Sequence, residues 1–216
     1  MNKAKLTSVS HPLIEGINSA EELITYYGRV SNPTNQMNTE TAPRLLKYLI
    51  RHQHWSPFET VSLAMEIETT RDIARQILRH RSFSFQEFSQ RYAQVTKFTT
   101  REARLQDSKN RQNSLETNDS RLMSDWKTVQ MNVSERAQEL YQWALDQGIA
   151  KEQARALLPE GLTVSTLCMA GTVRSWIHYI QLRTGPETQK EHREVALSCR
   201  EEFKKEFPVI SEVLFE

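Results

Sequence analysis

Glycine is scarce in this chain. Its 216 residues include only six (Gly16, Gly28, Gly148, Gly161, Gly171 and Gly185), and no two lie within nine residues of each other. A G-x-G-x-x-G dinucleotide loop or a P-loop is therefore excluded, because both need clustered glycines to bring backbone amides against phosphate. Any nucleotide bound here is held without a glycine cradle. Cysteine is scarcer still. Cys168 and Cys199 are the whole complement, which excludes a disulfide framework and a cysteine-rich zinc site and predicts a reducing, cytoplasmic setting. No apolar run approaches the ~18 residues of a membrane span, and the segment MNKAKLTSVSHPLIEG lacks the apolar stretch of a secretory signal. Excess charge is missing too: 28 Lys and Arg against 27 Asp and Glu leave a net +1. The overall field thus gives no reason to expect a polyanion or an anionic membrane as partner. Recognition of an anion must be local.

What is present suffices for one folded domain over residues 1–216: 38% of residues are hydrophobic and 25% charged. Helices are predicted over 20–30 and 39–51, the second with Leu45, Leu46, Leu49 and Ile50 on its apolar face. Residues 60–69 alternate, Val61, Leu63, Met65 and Ile67 against Ser62, Ala64, Glu66 and Glu68, which is the pattern of a half-buried strand. Helical spacing returns over 72–79. The polar run 99–120 has no periodicity and reads as a structureless excursion. Leu122, Trp126, Val129, Val133, Ala137, Leu140 and Ala144 then mark a helix over 121–147, roughly 40 Å long at 1.5 Å per residue. That length suggests packing across a subunit boundary. Trp126 and Trp143 read as packing residues. A short helix over 151–158 follows, and 162–169 fits a strand or a buried helical start equally well. Helices over 173–183 and 188–206 complete the chain, the last striped by Val195, Cys199 and Phe203. Strands and helices mix without regular βαβ alternation, so the fold class is α+β, with helices around a mainly antiparallel sheet.

The densest chemistry lies in RHRSFSFQEFSQRY, residues 79–92, where Arg79, His80, Arg81 and Arg91 alternate with serines, amides and aromatics. Guanidinium forks and hydroxyls suit phosphate. The same composition also fits a single-stranded nucleic-acid-binding module that stacks bases on Phe83, Phe85, Phe88 and Tyr92. Its weakness is the short basic patch in a nearly neutral chain. His52, His54 and Glu59 invite a metal, but a third clear ligand and its supporting shell are wanting, and no metal is expected. Cys168 and Cys199 follow or lie on apolar runs and read as core residues rather than nucleophiles.

The spacing of Arg79-His80-Arg81, seven residues, then Ser89-Gln90-Arg91-Tyr92 resembles the signature of flavin-dependent thymidylate synthases. Four further segments resemble that family's motifs in order: Gly28-Arg29-Val30-Ser31, His54-Trp55-Ser56-Pro57-Phe58-Glu59, Ala154-Arg155-Ala156-Leu157-Leu158-Pro159, and Arg174-Ser175-Trp176 through His178 to Leu182-Arg183. Thr172 and Gln90 depart from the family's usual residues. The resemblance implies conversion of dUMP to dTMP, with methylenetetrahydrofolate as one-carbon donor, reduced FAD as hydride donor and NADPH as reductant. It also implies a homotetramer with shared active sites. By the same resemblance Gln76, Arg79, Glu87, Phe88, Ser89, Gln90, Arg91 and Arg155 would bind dUMP. Arg183 would contact its ring and stabilise charge there. His54, Ser56, Arg79, His80, Arg81, Glu87, Arg174 and His178 would line the FAD site. No enzyme nucleophile is implied, and Ser89 reads as a hydrogen-bonding ligand.

Overall fold

Alternation over 60–69 does produce a strand, and it is the centre of the molecule. The computed structural model describes residues 1–215. Its elements in chain order are β1 (Lys3–Val9), α1 (Ala20–Gly28), α2 (Ala42–Arg51), β2 (Ser62–Thr70), α3 (Arg71–Ile77) and β3 (Ser84–Glu87). They continue with β4 (Arg104–Gln106), β5 (Ser114–Glu116), α4 (Ser120–Asp146), α5 (Lys151–Ala154), β6 (Val164–Thr172), α6 (Val173–Arg183), α7 (Lys190–Glu206) and α8 (Pro208–Phe215). The main sheet has the order β1-β2-β6-β3, with every neighbouring pair antiparallel. The open choice at 162–169 resolves as a strand, β6, which pairs along its whole length with β2.

One face of this sheet is apolar and the other is not. Leu63, Met65 and Ile67 of β2 and Leu167 and Met169 of β6 are buried. They meet Leu46 of α2, Ile73 and Ile77 of α3, Trp176 and Ile180 of α6, and Val195, Cys199 and Phe203 of α7 in one core. Removing this apolar surface from water is the main stabilising term. The alternate residues face out, and Cys168 is among them. It is exposed, contrary to the expectation of a core position, because in a strand it falls one residue out of phase with Leu167 and Met169. Cys199 is buried as expected, and burial drives its thiol pKa far up.

Edges and ends are satisfied by side chains. The backbone amides of Ala4 and Leu6 on the edge strand β1 donate to Ser198 Oγ (2.9 Å) and Glu202 Oε2 (3.1 Å) of α7. That consumes donors which would otherwise template aggregation. The buried Glu21 carboxylate accepts from the amide of Ile210 at 2.8 Å, fixing the start of α8, and burial pushes its pKa up to about 7.

The run 99–120 is not structureless. Arg104–Gln106 pairs with Ser114–Glu116 as a small hairpin, β4-β5. Three paired residues per strand are too few to leave a readable alternation. The helix over 121–147 is present, but only the end of its stripe packs within the chain: Ala137 and Ala144 are buried, whereas Leu122, Trp126, Val129 and Val133 are exposed, as is Trp143, contrary to the expectation that both tryptophans pack. Only its C-terminal half contributes to a core, where Tyr141 and Ala144 join Val95, Ala154 and Leu158 in a second cluster. Strands β1 and β3 and helix α8 are additional to the elements expected from sequence. Among the described residues no helix is long and apolar enough to cross a membrane.

Candidate active site

The turn 78–83 between α3 and β3 carries Arg79, His80 and Arg81, and one ring anchors it. Phe83 is buried, stacked edge-on to Trp176 (5.0 Å between centroids) and to Tyr179 (6.0 Å) of α6. It lies directly over Gly171 of β6, where a Cβ would stand 2.5 Å from the Phe83 ring. Gly171 is required there for close approach. Phe83 is buried and Phe85 only partly exposed, whereas Phe88 and Tyr92 are exposed, so the four aromatic rings do not form one continuous row for stacking bases.

His80 is held by the residue at the end of α6. The Arg183 Nε–H donates to His80 Nε2 at 2.9 Å. An arginine only donates, so Nε2 is the unprotonated nitrogen and the ring proton sits on Nδ1. Burial, followed by the charges of Arg183 and His178, lowers the His80 pKa to about 4. The imidazole is therefore neutral near pH 7 and orients the Arg183 guanidinium through this hydrogen bond without placing an opposite charge beside it. Beneath this pair, His192 of α7 lies fully buried, with Nδ1 3.3 Å from Gln76 Oε1 and Nε2 3.2 Å from the Tyr179 hydroxyl. Its pKa falls to about 3, through burial first and then Arg183 and His80.

A cleft of about 540 Å³ opens between the 53–59 turn and α6, lined by Gln53, Trp55, Glu59, Ser82, Arg174 and His178 among others. Arg174 Nη1 donates to Glu59 Oε1 (2.8 Å), and Thr172 Oγ1 donates to Glu59 Oε2 (2.7 Å) while accepting from the Ser175 amide to cap α6. Glu59 is thus engaged by Arg174 rather than turned toward His52 and His54. Those two rings lie 6.0 Å apart and flank Tyr48. Of the residues expected at the flavin, Arg174 and His178 line this cleft, and Ser56 begins the short helical turn beside it. His54, Arg79 and Arg81 are exposed near its rim elements. Glu87 is not in this cleft. It faces β6 and α3, accepting from Ser165 Oγ (2.8 Å) and Arg71 Nη1 (3.3 Å). The donor set fits a flavin nucleotide: a cationic guanidinium and hydroxyls for phosphate, with Trp55 and Ile177 as apolar flank for a planar ring.

A second cavity, about 330 Å³, lies at the other end of β3 and is lined by Arg71, Arg75, Gln90, Glu152, Arg155 and Glu160 among others. Arg71 and Arg75 share a face of α3 through their i,i+4 spacing. Each cation has an acidic or carbonyl partner. Arg75 pairs with Glu160, Arg91 with Glu152 at 3.2 Å, and Arg155 Nε donates to the Glu152 carbonyl at 3.2 Å. Phe88 begins the intervening loop, its amide bonded to the Thr166 carbonyl at 2.8 Å, and the Ser89 carbonyl accepts from the amides of Tyr92 and Ala93. The expected dUMP residues therefore divide. Gln76, Arg79 and Arg183 stand at one end of β3 and Gln90, Arg91 and Arg155 at the other, with a strand about 13 Å long between them.

Sequence alone assigns no role to Arg71, Tyr179 and His192 and considers Glu59 only beside His52 and His54, yet each makes a specific contact here. His192 continues the Val195-Cys199-Phe203 stripe one turn back, so helical periodicity marks it as buried, and a buried histidine needs partners.

Residues 12–209 match the family model described as thymidylate synthase complementing protein. A probable flavin-dependent thymidylate synthase of Paramecium bursaria Chlorella virus 1 is 55% identical over 212 residues, covering 98% of both chains. A flavin-dependent thymidylate synthase of Synechocystis is 53% identical over 91% of this chain and 90% of its own. Among solved structures, a UMP/dUMP methylase from Streptomyces cacaoi, bound with 5-Br dUMP, superposes with a TM-score of 0.83 at 27% identity, covering 98% of this chain and 93% of that one. The chain belongs to the thymidylate synthase complementing protein family, that of the flavin-dependent thymidylate synthases.

Proposed function

We propose that the enzyme methylates dUMP to dTMP, taking its one-carbon unit from methylenetetrahydrofolate, with FAD as cofactor and NADPH as reductant. The observation that carries this reading is Arg183, a guanidinium hydrogen-bonded to neutral His80 at 2.9 Å at the end of α6, the helix whose Arg174 and His178 line the cleft. Carbon 5 of uracil is a weak nucleophile, and negative charge must build on the ring before it attacks. A fixed positive group aimed at that charge needs no reorganisation when the reaction occurs, as in an oxyanion hole. Gln76 and Arg79 stand beside it to orient the nucleotide. No side-chain nucleophile is required. Cys199 is sealed in the core, Cys168 faces out from the sheet, and Ser89 serves as a hydrogen-bonding ligand.

Bound FAD supplies the hydride that completes the methyl group. Arg174, His178 and Ser56 would hold it, with His54, Arg79, His80 and Arg81 at the rim. The phosphate of dUMP is met by Gln90, Arg91 and Arg155, with Glu87, Phe88 and Ser89 shaping the loop. Because the two residue groups are separated by β3, a complete site takes them from different copies in a homotetramer. The exposed apolar stripe of α4 gives such an assembly a surface to bury. The purified protein is then expected to be yellow, or to become so with FAD, to bleach with NADPH, and to form dTMP from dUMP. A colourless protein that retains no added FAD would contradict the proposal.

A further inference from the structure

A single chain of hydrogen bonds runs under the site, and its direction is fixed from one end. The Glu191 carboxylate only accepts, so Gln189 Nε2 donates to it (2.9 Å) and Gln189 Oε1 must accept. Gln76 Nε2 donates to that oxygen at 2.8 Å, which turns Gln76 Oε1 toward His192 Nδ1 at 3.3 Å. The amide oxygen cannot donate. His192 therefore carries its proton on Nδ1, and its Nε2 accepts from the Tyr179 hydroxyl at 3.2 Å. Flipping the Gln76 amide would set a hydrogen donor against the Nδ1–H and an oxygen against an oxygen. Both contacts would be repulsive, the one to His192 in a part-buried setting where unsatisfied polar groups are costly. We propose that His192 is a positioning residue that locks the amide of Gln76 in one orientation, so that the second Nε2 hydrogen is presented to the nucleotide substrate. This rests on the reading of Gln76 as a dUMP ligand. The histidine touches no substrate. It acts from α7, through Gln76, on the pyrimidine end of the site.

The test is steady-state kinetics of the flavin-loaded enzyme with dUMP, alongside thermal unfolding. His192→Leu removes the donor, and the KM for dUMP is expected to rise about tenfold with kcat within about threefold of the parent, as for loss of uniform binding. His192→Asn keeps an N–H at the Nδ1 place and should recover most of that affinity. Gln76→Ala should raise the KM similarly, and adding His192→Leu to it should cost little more, since both act through one contact. If leucine prevents folding, His192→Gln, whose longer side chain loses the Nδ1 donor, is measured in its place and is expected to show the same KM rise. An unchanged KM in the donor-less variant, with Gln76→Ala impaired, overturns the positioning role and leaves the dUMP reading intact. Equal losses of KM, kcat and unfolding midpoint in the leucine and asparagine variants mean structural support only, and overturn it too. A Gln76→Ala enzyme with normal dUMP kinetics overturns the dUMP reading itself and the inference with it.

Discussion

The two ends of β3 solve the problem of holding an anion in opposite ways. At the Arg183 end, Arg183, His80 and His192 are half-buried or buried and hydrogen-bonded within the chain, and the two histidines are kept neutral by burial. At the Arg155 end, cations are ion-paired near the surface, Arg75 with Glu160 and Arg91 with Glu152. Surface pairs of this kind contribute about 0–1 kcal/mol and are readily exchanged for another anion. The first end is preorganised within one chain. The second is open until substrate, and by the proposal a second copy, arrives. Preorganised charge lowers barriers, whereas exchangeable charge contributes binding.

Arg183→Ala should break the comparison most severely. Turnover is expected to fall about 10²–10³-fold while flavin stays bound, read from dTMP formation and from flavin absorbance after gel filtration. Near-normal turnover would remove the charge-stabilising role. Gly171→Ala attacks the scaffold of the same end: its methyl group would press on the Phe83 ring, and overpacking of this kind costs about 1–3 kcal/mol, measurable as a shift in denaturant midpoint. At the open end, Arg155→Ala should raise the KM for dUMP about tenfold through loss of a charged hydrogen bond, with the unfolding midpoint nearly unmoved. A large stability loss there would mean that the second end is as preorganised as the first.

Acidification sharpens the contrast through stability alone. His80 and His192 titrate at about 4 and about 3 in the fold against 6.5 when free. As pH falls below 6.5 the unfolded chain takes up protons that the folded one refuses, so stability declines with falling pH. The decline through these two groups ends once pH passes below about 4 for His80 and about 3 for His192. Unfolding midpoints across that range should show it, and His192→Asn should reduce the slope by the contribution of one proton. The smallest effect is expected for Cys168→Ser, whose exposed thiol takes part in neither end. Activity and midpoint should match the parent.

Much of this was legible from residue order. The alternation of Val61, Leu63, Met65 and Ile67 marks β2, because one buried and one solvent-facing side write period two into the sequence. Strands β1 and β3 escape that reading for physical reasons. β1 is an edge strand with polar outward residues, and β3 is four residues long, within a segment dominated by site chemistry. The α4 stripe is readable as apolar, but its exposure in a single chain is not, since periodicity records burial without naming the partner. The signature residues 79–92 are legible as a group. Their division between two cavities is not, because β3 turns a continuous segment into two ends. His80 illustrates the limit: its place in the motif is in the sequence, but its proton position follows only from the 2.9 Å bond to Arg183.

On the proposed function, a working site joins the Arg183 end of one copy to the Arg155 end of another. Mixing Arg183→Ala and Arg155→Ala enzymes, with subunit exchange allowed, tests it directly. Sites formed between the two variants then include some with both arginines intact, so at dUMP concentrations well below the KM of the Arg155→Ala enzyme dTMP formation should exceed the sum of the separately assayed variants. Activity no greater than that sum, in oligomers demonstrated to be mixed, would place both ends of the site within a single chain and contradict the account.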